Sequence, residues 1–409
     1  MRKPTPLYLV SFAVSGFALT MVGPALSTLR ERTGSSIAEI GSLFLALQLG
    51  FIVGSVLAGR MLDRFDGNRI YALGFLMIAT ALMALPFATS LGALWIVMVT
   101  IGLAASIGDV SANTLLIWHL GEHVGRSMNL LHFSFGAGAL IAPLVVALGV
   151  DAAARLGAVV ALVMAGWSLI VPSPSAPLVR RDEQSTASRR VLVFAAMFFF
   201  VYVGVEIGFS GWIHTYSEEV GFSARAATLI TTAFWVSFTG GRLVSAWISD
   251  KVRPKVVMVF SATTAVVAAV VLVASQGTAL GLWVGTVLFG FATAPQFPVM
   301  MAYLERRIQL SGSDTSWFMA SAGMGGLAFP YLIGQMIDIS GTSTFPWMML
   351  GLAVIALVAF ARANTVLGVY AQCWWFVLFS TTRAATMGSI LAATDGTCWM
   401  RSPNARPSR

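Results

Sequence analysis

The chain has 409 residues, of which 57% are hydrophobic and only 10% charged, with a formal net charge of +8 and a mean hydropathy of +0.82. A soluble chain of this size needs far more polar surface, so the composition excludes a soluble globular protein and points to a polytopic membrane protein. Runs such as "VVMVFSATTAVVAAVVLVA" are apolar all round and do not alternate, which favours helices over the strands of a barrel.

Taken in chain order, the apolar runs predict twelve spans. They cover 6–28, 39–59, 70–90, 92–118, 127–150 and 152–172, then 191–216, 224–249, 255–275, 278–304, 314–337 and 343–361. The N-terminal "MRKP" precedes an apolar run with no small-residue cleavage site, so an uncleaved first span is expected. "PSPSAPLVRRDEQSTASRR", Pro172 to Arg190, is rich in Pro, Ser and charge and reads as a linker between six spans and six. The expected organisation is a first six-helix bundle at 1–172, a cytoplasmic linker at 173–190, a second bundle at 191–362 and a tail at 363–409 that the pattern does not place. With the N-terminus in the cytoplasm, the loops on that side, the linker and both termini take 21 of the 25 basic residues, leaving Arg30, Arg32, Arg155 and Arg225 outside. Both termini are therefore expected in the cytoplasm and the chain in a plasma membrane, the inner membrane if bacterial. The positive charge reports topology, and no nucleic-acid module accompanies it. The two cysteines, Cys373 and Cys398, suggest neither a disulfide framework nor a metal centre. A monomer is expected, with no bound cofactor.

The two halves are related by a constant offset of 187 residues. Gly54 falls on Gly241, Asp63 on Asp250 and Arg64 on Lys251; further on, Ser134, Gly136, Gly138, Leu140 and Pro143 fall on Ser321, Gly323, Gly325, Leu327 and Pro330. Six spans separate the copies, so the halves have the same orientation. The expected fold is an all-α membrane protein of twelve transmembrane helices, in two six-helix bundles related by a pseudo-two-fold axis along the membrane normal, with a cavity between them.

Charge concentrates in "GRMLDRFDGNR", Gly59 to Arg69, after span 2, and in "GRLVSAWISDKVRPK", Gly241 to Lys255, after span 8. The first resembles the loop motif G-x-L-x-D-R-x-G-R-R of the major facilitator superfamily, with Gly59, Asp63, Arg64, Gly67 and Arg69 matching and Asp66 as an insertion. The resemblance implies that Asp63 caps a helix of the other half and shuts the cytoplasmic side. An aspartate at a helix N-terminus meets unpaired N–H groups and the positive end of the dipole, and span 11, beginning near Asp314, offers one. Gly241, Arg242, Asp250 and Lys251 are the corresponding gate candidates. A bland reading, in which these charges merely anchor the loops, stands beside this one.

"GLAASIGDVSANTLLIW", "LHFSFGAGALIAPL", "YVGVEIGFSGWIHTY" and "APQFPVMMAYLE" resemble the fucose-permease-like branch of that superfamily, which includes proton-coupled sugar symporters and sodium-dependent glucose transporters. This implies transport of a small polar solute, a sugar, driven by H⁺ or Na⁺. Asp109 matches the branch's span 4 acid, but span 1 lacks the acid found in the proton-coupled fucose permeases, its nearest polar candidate being Thr20.

The residues carry their own argument. Asp109 and Glu206 lie near mid-membrane, where an ionised acid costs about 2.5–3.5 kcal/mol on insertion scales. Such an acid persists when it lines a wet cavity, meets a cation or stays protonated; the alternative is an acid hydrogen-bonded between helices. Asn113 shares a face with Asp109, while Tyr202 and Ser210 stand one turn either side of Glu206, and Trp212 follows. Hydroxyls, amides and an aromatic plate suit a sugar. Gln48 and Gln296 are further polar residues inside apolar spans, and His132 is either a proton relay or a packing residue.

Other functions are weighed against transport of this kind. Span 5 lacks the G-P-x-x-G-G signature of drug/proton antiporters. "GFSG", Gly208 to Gly211, fits the G-x-S-G of rhomboid-like intramembrane proteases, but catalysis needs a base within reach of Ser210, and His214 is the nearest in sequence. An enzyme is not expected. An efflux antiporter or a non-transporting solute sensor on the same scaffold are the alternatives.

Overall fold

A computed structural model describes residues 4–175, 186–274 and 278–380. The described residues are helical throughout, joined by short turns. The helices of the first half are α1 (Thr5–Thr20), α2 (Val22–Thr33), α3 (Ile37–Leu62), α4 (Gly67–Ala84), α5 (Leu91–Leu120), α6 (Gly125–Val146) and α7 (Val150–Ile170). Those that follow are α8 (Thr186–Glu219), α9 (Ala224–Ile248), α10 (Pro254–Ala274), α11 (Ala279–Thr293), α12 (Gln296–Ile308), α13 (Gly312–Ser340) and α14 (Thr344–Ser380).

Ten stretches among the described residues are long and apolar enough to cross a membrane. Two of the twelve expected spans fall outside that set, α9 and α13. They are 25 and 29 residues long, ample for a bilayer, but α9 carries Arg225 and Arg242 with several Thr and Ser, and α13 is rich in Gly and Ser.

Three boundaries differ from the sequence expectation. The first span is two helices, broken at Met21. The tenth is broken at Ala294 and Pro295, where the proline lacks the N–H that would continue the ladder. The last helix does not stop at 361 but continues to Ser380, so the first part of the tail is helical; Cys398 lies outside the described residues, as do 176–185 of the linker, whose final residues from Thr186 belong to α8.

Local chemistry fixes the helix starts. Ser36 with Glu39 and Ser311 with Asp314 form capping boxes at the starts of α3 and α13. Asp66, an insertion relative to the loop motif, is the N-cap of α4 and accepts the Arg69 amide at 3.0 Å.

The 187-residue offset recurs in the packing. A Cβ at Gly138 of α6 would run into the carbonyl of Ala13 on α1; a Cβ at Gly325 of α13 would run into the carbonyl of Phe200 on α8. All four positions are related by the offset. So are Gly50 with Leu103, between α3 and α5, and Ser237 with Gly290, between α9 and α11, except that the small residue facing the neighbouring backbone has moved to the other helix.

Candidate functional site

Four helices place the mid-span polar residues. On α5, Asn113 stands one turn beyond Asp109 and donates from Nδ2 to Asp109 Oδ1 at 2.8 Å, and also to the Asp109 carbonyl at 2.9 Å. Asn113 Oδ1 then faces His132 Nε2 of α6 at 3.2 Å. The His132 carbonyl accepts from Arg242 Nη1 of α9 at 3.0 Å. Arg242 Nη2 lies 3.8 Å from Glu206 Oε1 of α8. The two acids are thus the ends of one continuous path, Asp109–Asn113–His132–Arg242–Glu206, that passes from the first half of the chain to the second.

Arg242, a gate candidate by its place in the second copy of the loop motif, is buried two turns inside α9 at 7% exposure, with its guanidinium 4.3 Å from the Phe238 ring centre. A guanidinium removed from water needs a counter-charge and hydrogen-bond acceptors; Glu206, the His132 carbonyl and the Phe238 face supply them. Glu206 keeps 14% of its side-chain surface exposed, and Asp109 is also partly exposed.

His132 is packed as well as hydrogen-bonded. Its ring meets Phe12 edge-on at 5.6 Å and Phe297 at 4.8 Å. Phe297 also contacts Phe199 at 4.7 Å and Tyr202 at 6.1 Å, while Tyr202 stacks on Phe198. Phe12 and Phe297 have no distinguishing sequence signal, since a phenylalanine in an apolar helix is ordinarily packing; for Phe297 the signal available was its place beside Gln296 just after the Pro295 break.

The other sequence candidates are placed elsewhere. Trp212 donates from Nε1 to the Pro330 carbonyl of α13 at 2.9 Å. Gln48, midway along α3, donates to the Gly323 carbonyl of the same α13 at 2.7 Å. Gln296 is buried and donates back to Ala292 on the other side of the helix break at 3.3 Å. Ser210 donates to its own helix at Ile207, and His214 sits between Glu218 and Thr228. The serine and histidine of a protease pair therefore each have other partners. Thr20 likewise donates back to Gly16.

A second constellation joins the two halves of the chain at one end of the helices. Asp63, at the end of α3, accepts the Gly312 amide at 3.0 Å and the Ser313 amide at 3.2 Å, the first free N–H groups of α13. Gly59 lets α13 approach so closely that a Cβ there would strike the Ser316 side chain. Beside this, Trp118 Nε1 donates to the Leu310 carbonyl at 3.2 Å, Arg306 Nε donates to the Glu122 carbonyl at 2.9 Å, and buried Glu305 accepts the Leu310 amide at 2.7 Å. On the other seam, Asn129 of α6 donates to Ser249 at 3.1 Å and Arg126 faces Asp250 at 3.7 Å. Of the remaining gate candidates, Gly67 is buried against Leu115 and Ser173, and Gly241 packs against Ala294 and Phe291 of the α11–α12 break. Lys251 lies 3.9 Å from the Trp247 ring centre, and Arg64 and Arg69 are exposed. Among the described residues no cluster of three or more His, Cys, Asp or Glu is arranged to hold a metal ion.

Comparison with known proteins supplies an independent frame. The family model described as Major Facilitator Superfamily matches residues 8–330. The mouse sodium-dependent glucose transporter 1A is 25% identical over 375 residues, covering 79% of this chain and 87% of that protein. The human sodium-dependent glucose transporter 1 is 24% identical over 372 residues, covering 79% of this chain and 71% of that protein. Among solved structures, the E. coli fucose:proton symporter superposes with a TM-score of 0.72 at 18% identity, covering 89% of this chain and 98% of that chain.

Proposed function

Because the chain belongs to the major facilitator superfamily, we propose that it is a multi-pass secondary active transporter of a small polar solute, a sugar, working by alternating access coupled to H⁺ or Na⁺. The observation that carries this reading is the path from Asp109 to Glu206: two partly exposed mid-span acids, one in each half, joined by neutral and cationic polar groups. Relatives along most of the chain are sodium-dependent glucose transporters, which favours a hexose as the first solute to test.

The reading includes the twelve-span organisation. The ten apolar stretches plus α9 and α13 make twelve, in two bundles at 1–172 and 191–362, joined by a linker at 173–190. The repeat-related contacts of Gly138 and Gly325 support a pseudo-two-fold axis along the membrane normal. The excess of basic residues at the Asp63 end supports a cytoplasmic location for that end and for both termini. The contacts of Asp63, Trp118 and Arg306 across that end support reading it as the closed side of a plasma-membrane monomer.

Coupling follows from charge. With both carboxylates ionised and one guanidinium present, the path carries one unbalanced negative charge in a medium that penalises it. Binding one H⁺ or Na⁺ removes the imbalance. Asp109, whose side-chain partner is the neutral Asn113, is the acid that takes it; Glu206 is balanced by Arg242. Glu206, part of whose side chain is exposed, is the group offered to the solute, while Asn113 and Tyr202 are buried beside the two acids. Gln48 and Trp212, both anchored on α13, set the position of that helix beside it.

Uptake of radiolabelled hexoses into proteoliposomes, with an imposed H⁺ or Na⁺ gradient, tests the reading. Concentrative uptake under one of the two gradients is expected. Solute binding without flux would favour a sensor, and gradient-driven extrusion would favour an antiporter.

A further inference from the structure

Arg242 joins the Glu206 carboxylate of its own half to the backbone of the other half. Its Nη1 donates to the His132 carbonyl on α6 at 3.0 Å while Nη2 faces Glu206 on α8 at 3.8 Å. The α6–α9 seam it crosses is the same seam that Asn129–Ser249 and Arg126–Asp250 close further along. Its Nε is buried without a hydrogen-bond partner, so the guanidinium is incompletely satisfied even in the closed state.

We propose that Arg242 is a positioning residue that ties the charge state of Glu206 to closure of the α6–α9 seam. The proposal rests on the alternating-access reading above. A buried guanidinium is tolerated while its counter-charge is present; removing that charge leaves an isolated cation in an apolar seam. The cheapest relief is hydration, and water reaches Arg242 when α6 and α9 part. Neutralising Glu206, by a proton or by a solute group that takes its place, therefore loosens the seam, and the ionised form holds it shut. The other charged or titratable groups facing the pair are few. His132 contributes its carbonyl and directs its ring to Asn113, Asp109 is three contacts from Arg242, and the Tyr202 hydroxyl faces both Glu206 and Arg242. The packed helices α12 and α13 carry their charges, Glu305, Arg306 and Arg307, and Asp314 and Asp338, towards their ends.

The test uses the full chain in proteoliposomes, with Cys373 and Cys398 replaced by Ser and a reporter introduced by Ser249→Cys on the seam. Labelling by a membrane-impermeant maleimide from the Asp63 side is compared in four backgrounds: unaltered, Glu206→Gln, Arg242→Gln and the double variant. Glu206→Gln is expected to raise labelling several-fold when Arg242 is present and to add nothing when it is Gln; Arg242→Lys, which keeps the charge, should restore part of the response. An equal effect of Glu206→Gln with and without Arg242, or no effect in the Arg242 background, overturns the proposal. The Glu206→Gln arm leaves Arg242 intact, so a folding defect in the arginine variants does not remove the test. Hexose uptake by the unaltered protein, measured on the same vesicles, separates failure of this link from failure of the transport reading.

Discussion

Asp63 holds the Gly312 amide at 3.0 Å, whereas its repeat-related counterpart Asp250 stands 3.7 Å from the Arg126 guanidinium at the equivalent helix start. The offset that carries Asp63 to Asp250 carries Arg126 to Ser313, whose amide Asp63 also accepts at 3.2 Å, so the same two positions meet on both seams but are bonded differently. One aspartate caps a helix through two backbone amides; the other makes an exposed ion pair.

That difference predicts unequal mutants. Asp63→Asn removes a charge-assisted pair of bonds worth about 1.5–3 kcal/mol, and the α3–α13 seam should open. Asp250→Asn removes an exposed pair worth about 0–1 kcal/mol. Labelling of a cysteine at Ser316 from the Asp63 side should rise strongly in the first variant, while a Ser249 cysteine on the other seam should change little in the second. Equal effects would reduce both loops to topological anchors.

The close approaches at Gly138 and Gly325 predict a second pair. Each faces a backbone carbonyl, of Ala13 and of Phe200, which cannot move aside as a flexible side chain can. Gly138→Val and Gly325→Val should both lower the melting temperature of the detergent-solubilised protein and its yield, by amounts in the overpacking range of about 1–3 kcal/mol or more. Gly351, with open space around the Cβ position, serves as the control, and Gly351→Ala should be neutral.

Gln48 links mid-α3 to the Gly323 carbonyl. Gln48→Leu keeps the volume and removes the donor, leaving a helical carbonyl that retains its own backbone partner. A loss of about 0.5–1.5 kcal/mol is expected, read as faster hydrogen exchange in α13 without loss of fold. A collapse in solute affinity with unchanged exchange would instead make Gln48 a solute contact.

Much of the fold is visible in the sequence because a bilayer demands apolar helices of nearly fixed length, and the repeat is visible because its glycines meet backbone that tolerates nothing larger. The Asp63 contact is legible from its motif and from the helix start at Asp314. Arg242 is not. A cationic residue near the end of a span reads as loop charge, and only the fold brings Glu206 and the His132 carbonyl to it. The breaks at Met21 and Pro295 are likewise hidden inside continuous apolar runs. Trp212 reads as a sugar platform by composition, but the bond of its indole N–H to the Pro330 carbonyl is not legible there, since a side chain's type does not reveal which way it points.

In the proposed function Asp109, together with Glu206, couples solute to an ion. Coupling means that ion and solute raise each other's affinity by the same factor, and that removing the ion site leaves exchange without accumulation. The direct measurement is hexose accumulation against its gradient, alongside hexose counterflow, in proteoliposomes of the unaltered protein and of Asp109→Asn. Concentrative uptake driven by H⁺ or Na⁺ is expected in the unaltered protein, and counterflow without concentration in Asp109→Asn. Undiminished accumulation by Asp109→Asn and by the Asp109→Asn, Glu206→Gln double variant would contradict it, and would make the mid-span acids structural.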